Sequence, residues 1–149
     1  MHPFTGIRDH RIDGKDRLVI PSAHAQAIQA GSGGRLYLVP SPRDPMVEAY
    51  PAAKFEAMAA EQVPSRFEGD QSERRLFFQT AAEVELKGPG RITLPQRLLP
   101  YFPAREVRIA GMNDYLELWD PATWDRHVAQ ATGGFPLPGG PAPGGEGRG

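Results

Sequence analysis

The sequence contains no cysteine. That excludes disulfides and thiolate metal sites and fits a reducing compartment. No run of about 18 apolar residues occurs, so nothing reads as a membrane span. The N-terminus lacks a basic stretch followed by an apolar block, so no signal peptide is expected, and the chain reads as cytoplasmic. An excess of positive charge is missing too: 17 Lys and Arg stand against 18 Asp and Glu, a net charge of −1. Nucleic-acid binders usually carry a basic footprint, and composition alone does not suggest one. The four histidines, His2, His10, His24 and His127, show no metal-ligand spacing, so no metal site is expected. The phosphate-cradling patterns GxGxxG and GxxxxGK[ST] are absent, as is the nucleophile elbow GxSxG. No carboxylate pair stands out as an acid and base couple. No cofactor, small-molecule substrate or catalytic activity is therefore expected.

What the chain does have is glycine and proline, 17 and 16 of its 149 residues. Many fall in the tail, GGFPLPGGPAPGGEGRG from Gly133 onward. That stretch has too little apolar side chain to offset the entropy of ordering, so residues 133–149 are expected to be disordered. A chain of 149 residues buries roughly 68–70% of its unfolded surface and can support a core.

The chain carries one stretch twice. Asp13-Gly14-Lys15-Asp16-Arg17-Leu18-Val19-Ile20-Pro21 is matched by Lys87-Gly88-Pro89-Gly90-Arg91-Ile92-Thr93-Leu94-Pro95. Each is a turn rich in Gly and charge, then an arginine, an apolar run and a proline. Arg17 and Arg91 lie 74 positions apart. A second match follows: Tyr50-Pro51 with Phe55, and Trp119-Asp120 with Trp124, both give an aromatic, a helix start and an aromatic five residues after the first. Similarity at two separated places marks an internal repeat.

The coarse reading alternates short strands with short helices. Strands are expected over 4–12, 18–20, 35–39, 46–50, 83–86, 91–94, 106–110 and 115–119. Helices are expected over 23–30, capped by Ser22, and over 52–61 behind Pro51. A further helix through Gln79, with Asp70 as cap and Glu73 as its capping-box partner, would connect the halves. A short helical segment is expected over 96–101, and a last helix behind Asp120 and Pro121 with Trp124 and Val128 on one face. The aromatics Tyr50, Phe55, Trp119 and Trp124 read as core, and His24 as exposed.

Asp13 and Arg17 span a tight turn, and an ion pair there would hold the guanidinium in one direction. Exposed, such a pair contributes only about 0–1 kcal/mol. Arg is also the side chain that bonds guanine O6 and N7 in bidentate fashion, and a two-stranded ribbon can enter the major groove. Lys15 at the turn tip suits phosphate, which adds affinity without sequence information. Arg8 and Arg11 lie on the preceding strand. The bland alternatives are a turn-stabilising salt bridge for Arg17 and ordinary solvated side chains for the rest.

With both arginine turns and both aromatic junctions in hand, the chain resembles the MraZ family of bacterial transcriptional regulators, built from two SpoVT-AbrB-type repeats. The resemblance covers about residues 4–131. It implies an α+β fold: two pseudo-symmetric, AbrB-like swapped-hairpin repeats at 4–61 and 81–132, a connecting helix at 62–80, and a β-barrel-like core with short flanking helices. It also implies a ring-shaped homo-oligomer, nucleoid-associated, that binds repeated sites on double-stranded DNA in the promoter of its division and cell-wall gene cluster and represses it. Weak loops on one rim could bind repeated sites together, with avidity exceeding single-site affinity by about 10²–10⁴. Arg17 and Arg91 would be the readers, Lys15, Lys87, Arg8 and Arg11 the phosphate contacts, and Asp13 the motif support. The chain departs from the family pattern in four places. Lys87 stands where the family usually has Asp, Asp16 where Gly is common, Thr5 where Arg is frequent, and Pro89 within the second turn. Lys87, Asp16 and the near-neutral charge motivate one alternative, a ring-forming scaffold without specific DNA binding; a further variant is an antitoxin-like AbrB module.

Overall fold

The computed structural model describes residues 2–61 and 71–133. Eight strands and their helices follow in this order. β1 (Ile7–Arg11) and β2 (Arg17–Val19) lead to α1 (Ser22–Ser32), then β3 (Arg35–Pro40), β4 (Val47–Pro51) and α2 (Ala52–Glu61). The connector α3 (Ser72–Thr80) opens the second half. β5 (Ala82–Glu85) and β6 (Arg91–Thr93) precede a 3₁₀ helix (Gln96–Tyr101), β7 (Glu106–Gly111), β8 (Leu116–Trp119) and α4 (Pro121–Trp124). α4 runs on through a π turn, Asp125–Ala129, and a last α turn, Gln130–Thr132.

Six strands form one antiparallel sheet in the order β1-β7-β8-β4-β3-β5, and β2 pairs with β6 as a separate two-stranded ribbon. Exchanging the halves turns that order into its own reverse. Each half's first strand therefore joins the other half's sheet: β1 pairs with β7, and β5 with β3. The turns at Asp13 and Lys87 close locally, yet β1 and β2 are not ladder partners of each other. This is the swapped arrangement expected of the fold. The six-stranded sheet itself is open, with β1 and β5 as its edges.

The alternation of the strands explains the core. β3 and β7 share one burial pattern, as do β2 and β6, with Leu18 and Ile92 inward. Leu18, Ile20, Leu36, Leu38, Ile92, Leu94, Val107 and Leu116 meet in a single cluster. The two aromatic junctions make satellite cores. Tyr50 and Phe55 pack with Tyr37, Phe77 and Phe78, and Trp119 and Trp124 with Met46 and Val128. At the pseudo-dyad, Glu48 of β4 lies directly opposite Glu117 of β8. Glu48 accepts from the Tyr50 hydroxyl at 2.7 Å, and Glu117 from Trp119 Nε1 at 2.9 Å. Burial, with Glu48 adding to it, holds the Glu117 carboxyl above its usual range.

Local signals fared unevenly. Asp120 caps α4 by accepting from the Thr123 amide at 3.1 Å, as its position suggests. Ser22 is instead the first helical residue, and Pro21 holds the cap position. α1 runs longer than its periodicity implies and ends on Gly33, whose φ of 61° only glycine adopts easily. His24 is half-buried rather than exposed, edge-on to Phe4 and to His2. The Asp70 cap, and the tail beyond Gly133, lie outside the described residues. No helix among those described is long and apolar enough to cross a membrane.

Candidate nucleic-acid interface

The ribbon places the two candidate readers. Its register sets Arg17 opposite Thr93, Leu18 opposite Ile92, and Val19 opposite Arg91. Residues directly opposite in an antiparallel pair share a face, and residues two apart on a strand share it too. Leu18 and Ile92 are buried. Arg17, Val19, Arg91 and Thr93 therefore occupy the outward face together. The two arginines sit two register positions apart along it, a rise of roughly 6–7 Å. Val19 is 41% exposed although large and apolar, which follows from this placement.

The turns that carry the arginines, loop 1 (13–17) and loop 2 (87–91), share a backbone plan. The residue 13 amide donates to Arg17 O at 3.0 Å, and the residue 87 amide to Arg91 O at 2.7 Å. Asp16 N donates to Asp13 O at 3.0 Å, and Gly90 N to Lys87 O at 3.1 Å. Each loop then accepts from the other half: Asp16 O from Leu94 N at 2.8 Å, and Gly90 O from Ile20 N at 2.9 Å. Asp16 and Gly90 both hold positive φ, 61° and 98°.

The side chains differ. In loop 1, Asp13 Oδ1 accepts from the amides of Lys15 and Arg17, both at 2.9 Å, and Oδ2 accepts from Arg17 Nε at 2.7 Å. The Arg17 amide, with the Lys15 amide and the guanidinium, holds the Asp13 carboxyl down at about 2. The expected ion pair is thus present, and it fixes the root of the guanidinium while Asp13 occupies only Nε. In loop 2 no carboxylate stands at the equivalent place. Lys87 turns away to Glu85 at 3.1 Å. Pro89, in the place of Lys15, has no amide hydrogen to satisfy, and the Arg91 amide finds Lys87 O at 2.9 Å instead. The two departures from the family pattern compensate one another at the backbone. They do not compensate at the side chain: among the described residues Arg91 Nε is buried without a hydrogen-bond partner. The guanidinium folds back over Gly88, where an added Cβ would meet Nη2 at 3.2 Å.

The remaining candidates are less concentrated. Arg8 and Arg11 are three apart on β1 and so point to opposite faces. Arg11 pairs with Glu106 at 3.4 Å. Lys15 is exposed at the tip of loop 1. Among the described residues no group of three or more His, Asp or Glu could hold a metal ion.

Two features escaped sequence reasoning. Val19 and Thr93 join the outward face because each follows its arginine by two positions. That signal was legible, but only once the ribbon pairing is known. The other is Arg105, which donates through one Nη to Asp13 O and to Asp16 Oδ1, both at 2.7 Å. Nothing in the sequence links position 105 to loop 1, since the contact crosses between halves.

The comparisons with known proteins agree with this architecture. The family model described as the antitoxin-like MraZ protein matches residues 77–135. A protein of Dehalococcoides mccartyi named "Transcriptional regulator MraZ" is 34% identical over 126 residues, 82% of this chain and 85% of that one. Proteins with the same name from Variovorax paradoxus and Pseudomonas aeruginosa are 30% and 28% identical, over 88% and 92% of this chain and 92% and 93% of theirs.

Proposed function

The chain belongs to the MraZ family, and on that premise we propose that it is a DNA-binding transcriptional regulator whose contact surface is the β2–β6 ribbon. The observation that carries the reading is the shared outward face of Arg17 and Arg91. A major groove admits a two-stranded ribbon, and arginine is the side chain that bonds guanine O6 and N7 there. Arg17 is the main reader and Arg91 its counterpart. Lys15 and Lys87 contact phosphate, with Arg8 and Arg11 as outlying support, and Asp13 orients Arg17. The repeats are residues 4–61 and 81–132, joined by 62–80. The near-zero net charge is offset by assembly: a homo-oligomeric ring engages repeated promoter sites with several weak ribbons together. The regulated genes are its own division and cell-wall cluster, repression is the expected sign, and the protein works in the cytoplasm at the nucleoid. The reading assigns the protein no catalytic step.

The test is fluorescence anisotropy with DNA from upstream of its own gene, against scrambled DNA, over a salt series. Preference for the upstream DNA with a steep log-log salt slope is expected. Arg17→Ala should remove that preference while the oligomer persists in sedimentation. Dissociation of the oligomer, or unchanged preference, would count against the assignment. The second reading, a ring-forming scaffold without specific DNA binding, draws on the missing carboxylate in loop 2; equal weak binding to both DNAs would favour it.

A further inference from the structure

Arg105 has an unusual backbone and an unusual side chain. Its φ is +55°, a left-handed value that a non-glycine residue adopts at a cost. It immediately precedes β7 as Gly34 immediately precedes β3, and both positions do the same backbone work. Arg105 O accepts from Ile12 N at 2.9 Å, and Gly34 O from Leu86 N at 2.7 Å. Glycine suffices for that role in the first half. The strained arginine in the second half needs another reason, and its side chain supplies one. The Arg105 guanidinium bridges Asp13 O and Asp16 Oδ1, both in loop 1. Asp16 is likewise a non-glycine residue at positive φ, where loop 2 has Gly90. Two left-handed positions filled by glycine around loop 2 are thus filled around loop 1 by the two members of one salt bridge, at 2.7 Å.

We infer that Arg105 is a positioning residue for loop 1: it clamps the loop from the opposite half and sets the direction in which Arg17 is offered to DNA. The inference rests on the ribbon being the DNA-contact surface. Asp16 is in this account no repulsive charge facing phosphate but the anchor of the clamp. Loop 1 thus offers Arg17 in a set direction, while the Arg91 side chain of loop 2 has no such brace.

The test is a double-mutant cycle of Arg105→Gly and Asp16→Gly, read by anisotropy with the upstream DNA across salt. Both variants place glycine at a left-handed position, so the backbone is relieved and folding, followed by thermal unfolding, is retained. Arg105→Gly should raise Kd roughly tenfold, Asp16→Gly by less because the Arg105 bond to Asp13 O stays, and the pair together no more than Arg105→Gly alone. Asp16→Gly should weaken binding although it deletes a negative charge. Arg105→Gly should leave the salt slope as in the parent. Three results would overturn the inference: Asp16→Gly binding as tightly as the parent or tighter, additive losses, or a salt slope lowered by about 1 in Arg105→Gly, which marks a direct phosphate contact. Arg17→Ala in the same assay separates the levels. If it binds like the parent, the DNA reading fails and takes the clamp with it. If it loses binding while both glycine variants keep theirs, the clamp alone fails.

Discussion

Loop 1 and loop 2 close on matched backbone hydrogen bonds by different chemistry, although Gly88 holds φ +52° where its counterpart Gly14 takes no positive φ. Their closing hydrogen bonds are matched one for one, and each hands its fourth carbonyl to the other half. Loop 1 is held by side chains: the Asp13 carboxylate caps two amides and a guanidinium, and Arg105 bridges it to Asp16. Loop 2 is held by residue type. Gly88 and Gly90 take positive φ without strain, and Pro89 removes the amide that would need a cap. Side chains that fix a loop also orient the arginine at its end. Glycine and proline fix the path of the chain and leave the arginine to itself, and Arg91 Nε shows the result. A repeat can thus diverge in how firmly it presents a reader while keeping the fold that presents it.

The sharpest way to break this comparison is to deny loop 2 its glycine. Gly90 has φ +98°, and a Cβ there would sit 3.0 Å from the Ala25 side chain. Gly90→Ala should cost about 2–3 kcal/mol from backbone strain and the clash with α1. Urea denaturation would read it as a lower midpoint at unchanged slope. Gly14, within loop 1, has open space at its Cβ and no positive φ. Gly14→Ala should change stability little, whereas Gly88→Ala, at its counterpart with φ +52°, should be strained; equal effects at Gly14 and Gly88 would erase the distinction between the loops.

Acid should separate the loops next. The Asp13 pKa lies near 2 in the folded chain, below its ordinary value of 3.8. A carboxyl depressed by folding contributes stability that is fully present above its unfolded pKa and is lost as pH falls through the folded one. The window is therefore about pH 4 down to pH 2. Loop 2 has no carboxylate in the equivalent place. Amide exchange should show Lys15 and Arg17 losing protection across that window while Gly90 and Arg91 hold theirs. Asp13→Asn should move loop 1 in the same direction at neutral pH, lowering Tm by several degrees. Parallel loss in both loops would mean that Asp13 is not what distinguishes them.

How much of this could be read from the chain follows from the range of each interaction. The strand-turn-strand units, the Asp120 cap and the Asp13–Arg17 pair are local, and the repeat shows as the likeness of two such local stretches, so the sequence pattern contains them. The aromatic junctions were legible as core because apolar residues at matched spacing imply matched burial. What stayed hidden depends on pairing across the chain. That β2 pairs with β6, so that both arginines share a face with Val19 and Thr93, cannot be taken from either segment alone. Arg105 reads as an ordinary turn residue until the second half is laid against the first. The meaning of Lys87 and Pro89 changed within the turn itself, where the Arg91 amide bonds Lys87 O. Each alone looks like damage to a motif, and together they close a turn in which the Arg91 amide still finds an acceptor.

The smallest change should be the most telling about that repair. Lys87→Asp returns a carboxylate to loop 2 without altering its glycines. The backbone needs nothing from it, since Pro89 has no amide hydrogen and the Arg91 amide already has Lys87 O at 2.9 Å. The new acceptor has only Arg91 Nε to serve, the group now buried without a partner. A hydrogen bond to a previously unsatisfied donor should raise stability by about 0.5–1 kcal/mol, reduced by the loss of the surface pair between Lys87 and Glu85. It should also draw the guanidinium away from Gly88 into the direction Asp13 gives Arg17. If firmness of presentation is what separates the loops, Lys87→Asp should tighten binding to the upstream DNA a few-fold even though it exchanges a positive charge for a negative one. Weaker binding would show instead that Lys87 serves loop 2 as a phosphate contact, and that its charge outweighs the orientation of Arg91.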